Sequence, residues 1–399
     1  MKKQIASDKK IKIIFLTSGI GLGGVERVLL EYIKKINLNK FDIKIAFHSE
    51  KDKYFEEEIP KEIKYKYMQS LKIEQKIVEL KNKNIIKRKL LREIYKKYNR
   101  YLMKKNYYSF SKDRDIIIDF KDGKYFKYLK KLSKKKKICW IHGNIEDIYN
   151  LKKEKNIVEK NFQKMQKIVC ICNEMSKELK NIFPKINERN IETIYNPFDI
   201  KNIKMKSNIE KEKLTEEYIL MVSRLDSKQK DFLTLIKAYK YYTTLTKDPV
   251  KLFILGEGKD RNIIENEIKF RKLDEKITLL GADKNPYPWI KKAKILVHSS
   301  NYEGLPTVLI EGLILGKIIV SSDCKTGPRE ILMDGKYGLL FPVGDYLTLG
   351  TMLEDLLSKN LEKYKEIEKN ILEKESIERF SDEVIIKKVE NMLEQVYLD

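Results

Sequence analysis

The chain has 399 residues, of which 42% are hydrophobic, 10% aromatic and 36% charged, and its formal net charge is +24. This length exceeds what one compact core usually holds, so two domains are expected, and the composition is typical of globular proteins rather than disordered chains. No run approaches 18 apolar residues, so no membrane-spanning segment is expected, and the protein is predicted to be cytoplasmic.

The cysteines also exclude two classes of small stabilised fold. Cys139, Cys170, Cys172 and Cys324 form no C-x-x-C pair and lie mostly in apolar runs that are predicted to be strands. They are therefore interpreted as reduced core residues, and neither a disulfide framework nor a zinc site is indicated.

Strand-like and helix-like segments alternate along the first half of the sequence. Strands are predicted at residues 11–17, 41–48, 115–120, 137–142 and 167–172, with a helix over 24–36 and a long Lys-rich helical region over 73–103. Although lysines precede residues 11–16, this run is short and broken by Lys12, so it is interpreted as the first strand and not as a signal peptide. The alternation predicts βαβ units and a parallel sheet.

The second half restarts the same pattern after a break at Asn196-Pro197 and a polar stretch, residues 201–217, that is interpreted as a linker. Strands are predicted at residues 218–223, 250–255 and 277–280 and near Ile295 and Ile318, with helices over 231–242 and 260–271. We therefore expect an α/β protein of two doubly wound Rossmann-like domains whose parallel sheets face an inter-domain cleft.

The predicted domain boundaries follow from these breaks. The N-terminal domain is expected over residues 1–200, with a Lys-rich insertion at about 61–112, and the C-terminal domain over 201–375. The charged segment 376–399 is expected to be a helix that crosses back to the first domain.

Most of the positive charge lies in one fifth of the chain. Between Lys61 and Trp140 there are 27 Lys and Arg against 8 Asp and Glu, with tyrosines and phenylalanines among them. Solvated helix faces would explain this segment, and so would a surface for anionic lipid headgroups or a lipid-pyrophosphate acceptor, or a nucleic-acid patch. Of the last two we favour the membrane, because aromatic residues mixed with lysines suit an interface and no nucleic-acid motif accompanies them.

Two carboxylates, Glu303 and Glu311, lie in the segment N-Y-E-G-L-P-T-V-L-I-E-G-L, between two strand-like runs. Glu303 falls at a strand's carboxyl end, where open α/β sheets bind ligands, and Pro306 is placed to open a helix. Glu311 then lies among apolar residues about one and a half turns into that helix, where an ionised carboxylate needs a polar partner. A vicinal diol, such as a nucleotide ribose, would serve.

Other polar motifs also follow predicted strands. A glycine loop, T-S-G-I-G-L-G-G-V-E-R, follows the first strand, and the cations of S-R-L-D-S-K-Q-K, beginning at Ser223, suit a diphosphate leaving group. L-G-E-G ends the next strand, and W-I-H-G places His142 at a strand's carboxyl end. No H-E-x-x-H, G-x-S-x-G or metal-spaced carboxylate cluster is present, which disfavours metal-dependent and serine-hydrolase chemistry.

The chain resembles retaining glycosyltransferases of the GT-B fold, in glycosyltransferase family 4. The motifs that carry the resemblance are, in chain order, the glycine loop with G-V-E-R, W-I-H-G, S-R-L-x-x-x-Q-K, L-G-E-G, Glu-x7-Glu, and T-G-P-R-E-I-L with D-G-K-Y-G-L-L. The likeness covers nearly the whole chain and is most specific from Tyr218 to Asp345. The T-G-P-R-E-I-L variant looks most like bacterial enzymes that build lipopolysaccharide, capsule or lipid-linked oligosaccharide.

The resemblance implies roles for the residues around the two carboxylates. Glu311 would hold the ribose hydroxyls of a nucleotide sugar, and Glu303 would contact the donor sugar near its reacting centre. Arg224 and Lys230 would bind the diphosphate in place of a metal. In the family this lysine often lies five residues after the arginine, whereas Lys230 lies six after it and Lys228 four, so the choice between them stays open.

The resemblance also assigns residues elsewhere in the two domains. Gly23 and Gly24 would approach the donor phosphates or the acceptor, and His142 would touch the donor sugar and its acceptor. The remaining residues implied in donor binding are Gly256, Gly304, Leu305, Pro306 and Thr307.

The implied activity is transfer of a sugar, with retention at the anomeric carbon, from a nucleotide diphosphate sugar, most simply a UDP-hexose or UDP-N-acetylhexosamine. The acceptor would be a glycan or a lipid-linked molecule, and the enzyme would work without a metal or a tightly bound cofactor, at the inner face of the cell membrane. No nucleic-acid partner is expected. The alternatives are another GT-B enzyme, such as a sugar-phosphate synthase or nucleotide-sugar epimerase, and a non-enzymatic, basic nucleic-acid-binding protein.

Overall fold

The computed structural model describes residues 10–21, 23–50, 53–80, 86–125, 128, 132, 134–210, 217–358 and 365–399, and the contacts among them divide the chain into two units. Unit 1 comprises Met1–Ile171, Ser176–Pro197 and Ile385–Asp399. Unit 2 comprises Cys172–Met175 and Phe198–Val384.

Unit 1 is built on a seven-stranded parallel sheet. Its strands are β1 (Ile11–Thr17), β2 (Phe41–Phe47), β3 (Lys64–Tyr67), β4 (Ile116–Asp119), β5 (Lys136–Ile141), β6 (Lys167–Cys170) and β7 (Ile191–Thr193), in the order β3-β2-β1-β4-β5-β6-β7. The central strands are apolar and buried along most of their length, as expected for a parallel sheet that is covered on both faces.

Unit 2 is built on a six-stranded parallel sheet. Its strands are β8 (Tyr218–Val222), β9 (Lys251–Leu255), β10 (Ile277–Gly281), β11 (Ile295–His298), β12 (Ile318–Ser322) and β13 (Leu339–Phe341), in the order β10-β9-β8-β11-β12-β13. The predicted pair of doubly wound parallel sheets is therefore confirmed.

Helices connect and cover the strands of both sheets. They are α1 (Gly24–Lys35), α2 (Leu71–Glu79), α3 (Ile86–Ser111), α4 (Ile145–Ile148), α5 (Leu151–Phe162), α6 (Asn173–Ile182), α7 (Ile200–Lys206), α8 (Phe232–Leu245), α9 (Arg261–Phe270), α10 (Tyr287–Lys292), α11 (Thr307–Ile314), α12 (Pro328–Ile331), α13 (Tyr346–Leu357), α14 (Lys365–Ile371), α15 (Lys374–Glu378) and α16 (Asp382–Leu398).

Side chains at helix starts explain several of these boundaries. Asp231 accepts a hydrogen bond from the backbone N–H of Thr234 (3.0 Å) before α8, and Asp345 accepts one from Thr348 (3.0 Å) before α13. Each cap satisfies a backbone donor that has no partner within the helix.

The predicted linker over residues 201–217 is wrong in its first part. Asp199 accepts a hydrogen bond from the backbone N–H of Asn202 (2.9 Å) and caps α7, so the chain is helical there despite its lysines. Residues 211–216 of the predicted linker lie outside the described residues.

The Lys-rich insertion holds two helices and an unforeseen strand. β3 is a four-residue edge strand, and the predicted helical region over 73–103 forms α2 and α3, while residues 81–85 lie outside the described part of the chain. Met103 and Tyr107, on the inner face of α3, are buried in a cluster with Ile14 and Ile117 of the sheet. One face of α3 is therefore fixed to unit 1.

The end of the last helix also packs on unit 1. The carboxylate of Glu390 accepts a hydrogen bond from the backbone N–H of Asn37 (2.8 Å), and Lys136 Nζ donates to the backbone oxygen of Tyr397 (2.7 Å). These contacts join α16 to the turn before β2 and to the amino end of β5, within the same unit.

Candidate functional site

Both sheets reverse their strand order once, and these reversals mark the candidate sites. In unit 1 the reversal lies between β1 and β4, and in unit 2 between β8 and β11. Ligands of open α/β sheets bind beyond the carboxyl ends of the strands at such a switch point. Arg224, Lys230 and Glu303 follow the carboxyl ends of β8 and β11, so the structure brings these three predicted residues to one switch point.

Backbone pairing fixes the cationic loop of unit 2 against the end of β11. Lys230 forms an isolated antiparallel bridge with Ser300, the N–H of Asn301 donates to the oxygen of Gln229 (2.8 Å), and the N–H of Asp231 donates to the oxygen of Ser299 (2.7 Å). This register is what places the Lys230 side chain beside the carboxylate of Glu303.

The carboxylate of Glu303 has three side-chain donors. Lys230 Nζ and His298 Nε2 (3.0 Å) both contact Oε1, and Gln229 Nε2 donates to Oε2 at 3.2 Å. Glu303, Lys230 and His298 are 6%, 9% and 1% exposed, so the pair Lys230–Glu303 is a buried ion pair with additional hydrogen bonds.

These contacts set the charge state of Glu303. Burial raises the pKa of its carboxyl, but the positive charge of Lys230 and the hydrogen bond from His298 outweigh burial and lower the pKa to about 2. Burial, and then the charge of Lys230, lower the pKa of His298, so its imidazole is neutral at pH 7. Glu303 is thus an ionised hydrogen-bond acceptor, unsuited to donate a proton.

The two candidate lysines lie in different surroundings. Lys230 is buried and paired with Glu303, whereas Lys228 is exposed. Arg224 is exposed, and its guanidinium donates to Gln229 Oε1 at 3.3 Å. Gln229 thereby links the arginine to the carboxylate of Glu303.

Gly256 is needed by the packing of two strand ends. Its φ is +150°, and a Cβ added there would lie 1.8 Å from the backbone oxygen of Ser223. A Cβ at Gly258 would lie 2.4 Å from the oxygen of Leu225. The L-G-E-G turn therefore packs directly on the backbone of the Arg224 loop, which gives Gly256 a structural reason independent of any ligand.

Helix α11 carries Glu311 into a tight space. Pro306 precedes the first helical residue, Thr307, and Glu311 is 9% exposed. A Cβ on Gly312 would lie 2.6 Å from Leu296 Cδ2, so glycine at this position lets α11 lie close on β11. The close packing fixes α11, which carries Glu311, against β11.

The loop after β12 fixes the backbone of Glu303 through a hydrogen bond. Thr326 has a φ of +62° and Gly327 a φ of +94°, and the Thr326 hydroxyl donates to the backbone oxygen of Glu303. A left-handed threonine costs free energy, and it is held here by the contacts of its own hydroxyl.

In unit 1, His142 follows β5 beside a buried aspartate. The carboxylate of Asp122 accepts a hydrogen bond from the His142 backbone N–H (2.8 Å), and the imidazole lies edge-on to the Phe120 ring at 4.5 Å. Burial, with a smaller effect of the Lys121 charge, lowers the pKa of His142 to about 3, so the ring is neutral at pH 7. Its Nε2 is buried without a hydrogen-bond partner among the described residues.

The glycine loop of unit 1 already holds a carboxylate that the sequence did not reveal. Glu26 Oε1 accepts a hydrogen bond from Ser18 (3.4 Å) and lies 3.7 Å from Lys121 Nζ, and Oε2 lies 2.0 Å from the position of a Cβ on Gly23. A Cβ on Gly24 would meet no atom within 4 Å. The Glu26 carboxyl group therefore occupies the space over Gly23, and the space over Gly24 is open.

Residues missed from the sequence include His298, Gln229 and Glu26. Gln229 and Glu26 lie within quoted motifs, and their place beside the predicted residues was the available signal. His298 ends an apolar strand five residues before Glu303, and histidine is rare in this chain, with three in total.

The described residues contain neither a metal-binding cluster nor a membrane-spanning helix. No group of three or more His, Cys, Asp and Glu side chains is arranged to hold a metal ion. No helix in the described ranges is long and apolar enough to cross a membrane.

Residues 202–374 match the family model "Glycosyl transferases group 1". A segment of 174 residues is 39% identical to a Campylobacter jejuni N-acetylgalactosamine-N,N'-diacetylbacillosaminyl-diphospho-undecaprenol 4-alpha-N-acetylgalactosaminyltransferase, covering 43% of this chain and 46% of the relative. The chain thus spans about half the length of that curated relative.

Solved structures match over almost the whole chain. Anabaena HepE in complex with UDP superposes with a TM-score of 0.74 at 15% identity, covering 96% of this chain and 100% of HepE. The lipopolysaccharide outer core galactosyltransferase WaaB in its apo form gives a TM-score of 0.67 at 23% identity, covering 96% and 98%. At these identities the likeness concerns the fold.

The fold is therefore that of the GT-B glycosyltransferases. Within it, residues 202–374 are a glycosyl transferases group 1 domain, and the resemblance to GT-B enzymes of family 4 is confirmed at the level of fold and of this domain.

Proposed function

We propose that this protein transfers a sugar from a nucleotide diphosphate sugar to a glycan or lipid-linked acceptor of the cell surface, with retention at the anomeric carbon. The observation that carries the proposal is the group formed by Arg224, Lys230 and Glu303 at the switch point of unit 2. It combines fixed positive charge with an ionised carboxylate, which suits a diphosphate joined to a polyol.

Arg224 is suited to the diphosphate of the donor. Its guanidinium is exposed at the carboxyl end of β8, and arginine grips two phosphate oxygens at once. Lys230 supplies a second cation at the same switch point, and its fixed place against Glu303 makes it a better candidate than the exposed Lys228. Together they would stabilise the negative charge that grows on the leaving diphosphate, in the place of a metal ion.

Glu303 and Glu311 are suited to the hydroxyl groups of the donor. Glu303 is ionised and accepts hydrogen bonds, so we assign it to the donor sugar, and we assign Glu311, on α11, to the nucleotide ribose. Gly256 and the segment from Gly304 to Thr307 would line the same pocket. The structure of HepE with UDP supports a uridine nucleotide, and the C. jejuni relative supports an N-acetylhexosamine.

Unit 1 is assigned to the acceptor. The carboxylate of Glu26 lies over Gly23 in the glycine loop and would repel a second anion there, so of the two ligands proposed for this loop we favour acceptor hydroxyls over donor phosphates. The neutral imidazole of His142 is proposed to contact the acceptor and the donor sugar.

The outer face of α3 supports an anionic membrane surface as a partner. Between Ile86 and Ser111 the helix has nine Lys and Arg and one acidic residue. The face that does not pack on unit 1 exposes six large apolar or aromatic side chains: Leu90, Leu91, Ile94, Tyr98, Tyr101 and Tyr108. Apolar and aromatic side chains among cations bind anionic lipid interfaces. We therefore place the enzyme in the cytoplasm, bound peripherally at the inner face of the cell membrane.

The donor assignment is tested by thermal shift with UDP and with UDP-glucose, UDP-galactose, UDP-N-acetylglucosamine and UDP-N-acetylgalactosamine. A donor that binds the folded protein raises its melting temperature, and the same sugar should then be transferred to a lipid-linked acceptor. If no nucleotide sugar binds while an oligonucleotide does, with affinity that falls steeply as salt is added, the basic nucleic-acid-binding alternative is correct.

The membrane assignment is tested by reversing four exposed cations on α3, Lys97, Arg100, Lys104 and Lys105, to Glu. Binding to vesicles of phosphatidylglycerol and phosphatidylcholine should weaken at least about tenfold, because each cation near an anionic surface contributes about 1 kcal/mol. Transfer to a soluble acceptor should continue.

The matched control reverses four exposed lysines of α5 in the same unit, Lys152, Lys153, Lys155 and Lys160. If both variants lose vesicle binding equally, net charge and not the α3 face is responsible. Unchanged binding in the α3 variant would show that this face is merely solvated.

A further inference from the structure

His298 is a buried histidine that the proposed function has not used. It is the last residue of β11, is 1% exposed, and lies in the strand that leads to Glu303. Its Nε2 lies 3.0 Å from Glu303 Oε1 and 3.1 Å from Ser300 Oγ. Its Nδ1 is buried without a hydrogen-bond partner among the described residues.

The carboxylate fixes the tautomer of this histidine. An ionised carboxylate only accepts hydrogen bonds, so the contact at 3.0 Å requires a proton on Nε2 of the neutral ring. The neutral ring carries a single N–H, and it is directed at Glu303. The buried Nδ1 has no hydrogen-bond partner among the described residues, which costs free energy of folding, while Nε2 keeps its donor contact with Glu303.

The two oxygens of the Glu303 carboxylate accept different numbers of hydrogen bonds. Oε1 accepts from both Lys230 Nζ and His298 Nε2, whereas among the described residues Oε2 accepts from Gln229 Nε2 alone, at 3.2 Å. Each carboxylate oxygen offers about two acceptor positions. Oε1 is therefore filled by protein donors, and Oε2 has one acceptor position left.

The backbone around the carboxylate is fixed as well. Thr326 donates its hydroxyl to the backbone oxygen of Glu303, and Ser300 exchanges hydrogen bonds with Ser322, its N–H donating to Ser322 Oγ at 2.8 Å and its oxygen accepting from that hydroxyl at 2.8 Å. With the backbone held, the remaining freedom of Glu303 is rotation of its side chain, and His298 and Lys230 restrict that rotation by holding Oε1.

We propose that His298 is a positioning residue that holds Oε1 of Glu303, so that Oε2 is the oxygen offered to a hydroxyl group of the donor sugar. The inference rests on the proposed function, because it assumes that Glu303 meets the donor sugar. It adds which oxygen makes that contact and which side chain orients it. A loss of His298 should therefore affect recognition of the sugar and leave recognition of the nucleotide diphosphate intact.

The test uses a matched pair of amides in the full-length protein, His298→Gln and His298→Asn. The amide nitrogen of Gln reaches the place of Nε2, whereas the shorter Asn side chain does not, and both keep a polar group in the strand. Dissociation constants are measured for UDP and for UDP-glucose, UDP-galactose, UDP-N-acetylglucosamine and UDP-N-acetylgalactosamine.

In His298→Asn, the dissociation constant of the bound UDP-sugar divided by that of UDP should rise at least about fivefold. The dissociation constant of UDP itself should stay within about twofold of wild type. A fivefold change is the size expected when a charged acceptor loses its orientation. In His298→Gln the ratio should stay close to wild type. In a Glu303→Ala background, His298→Asn should change the ratio no further, because the carboxylate that His298 orients is then absent.

An unchanged ratio in His298→Asn, an equal weakening of UDP and UDP-sugar, or the same additional loss in the Glu303→Ala background would each overturn the positioning role. Should the Asn variant fail to fold, the Gln variant still decides, since loss of sugar recognition there despite a retained donor contradicts the proposal. If wild type binds neither UDP nor any of the four UDP-sugars, the proposed function itself fails, and this inference fails with it.

Discussion

The switch points of the two units have the same strand order around them, but they shift the pKa of a buried carboxyl group in opposite directions. In unit 2 Glu303 lies beside Lys230 and His298, and its pKa falls to about 2. In unit 1 Asp119, at the end of β4, accepts hydrogen bonds from the backbone N–H groups of Lys121 (3.2 Å) and Tyr125 (2.8 Å). Burial outweighs these donors and raises the pKa of Asp119 to about 7.

The difference shows that burial alone does not decide whether a carboxyl group is charged. A nearby cation outweighs the loss of hydration, whereas two neutral N–H donors do not. The same topology therefore holds an ionised acceptor with cations in one unit. In the other it holds a structural aspartate and a neutral histidine, His142. A nucleotide diphosphate suits the first arrangement and neutral hydroxyl groups suit the second.

The largest expected effect concerns the cations of the two switch points. Arg224→Ala should lower sugar transfer by at least about 100-fold, as loss of one group that stabilises developing negative charge typically does. Lys121→Ala in unit 1 should keep transfer within about tenfold of wild type, because Lys121 lies near the carboxylate of Glu26 and no diphosphate is assigned to that loop. Initial rates under saturating donor measure both.

Arg271→Ala is the matched control for Arg224→Ala, since Arg271 lies in the same unit and its pairing with Glu267 is local. It should leave transfer unchanged. Equal losses in Arg224→Ala and Lys121→Ala would contradict the division of roles between the units, and wild-type turnover in Arg224→Ala would remove Arg224 from the site.

The fold was largely predictable because parallel strands are buried on both faces and form apolar runs. β1, β8 and β11 were located to within a residue or two for this reason. β3, β7 and β13 were missed because they are edge strands of three or four residues with at most one buried residue each. α7 was missed because its charge resembled a linker, although Asp199 caps it.

The site was predictable where a motif places a residue at a strand end, and less so where pairing in space decides. The placement of Glu303 and Arg224 after the strand ends was predicted in this way. The partnership of Lys230 with Glu303 depends on the bridge between Lys230 and Ser300, which no local pattern encodes. For the same reason the donor role of His298 emerged only from the distance between its ring and the carboxylate.

A smaller contrast is expected between the glycine turns of the two units. Gly256→Ala should destabilise unit 2 by about 3 kcal/mol, because φ is +150° and the new Cβ would collide with the rigid backbone oxygen of Ser223. Gly23→Ala should cost about 1 kcal/mol or less, because its φ is −86° and the nearby atoms belong to the flexible side chain of Glu26.

Urea unfolding of the full chain, with hydrogen exchange to assign the loss to a unit, measures both variants. Gly24→Ala, whose Cβ would meet no atom within 4 Å, is the control for a glycine that sterics do not require. A Gly23→Ala variant as unstable as Gly256→Ala would show that Glu26 is held rigidly over its loop, contrary to the open acceptor site proposed for unit 1.

A pH dependence separates the two carboxyl groups directly. Asp119 has a pKa of about 7 in the folded protein, against about 3.9 when unfolded. Between these values the folded chain keeps a proton that the unfolded chain has released, so this group's contribution to stability falls by about 1.4 kcal/mol per unit as pH rises from about 4 to 7. For Glu303 the folded pKa of about 2 lies below the unfolded value of about 4.3, so its contribution is lost only as pH falls through that lower range. The measurement is urea unfolding between pH 5 and 7. The free energy of unfolding of wild type minus that of Asp119→Asn should fall as pH rises. The same difference between wild type and Glu303→Gln should stay constant. A constant difference for both variants would mean that Asp119 is ionised like Glu303. The backbone N–H donors at the switch point of unit 1 would then stabilise the charged carboxylate as Lys230 does in unit 2.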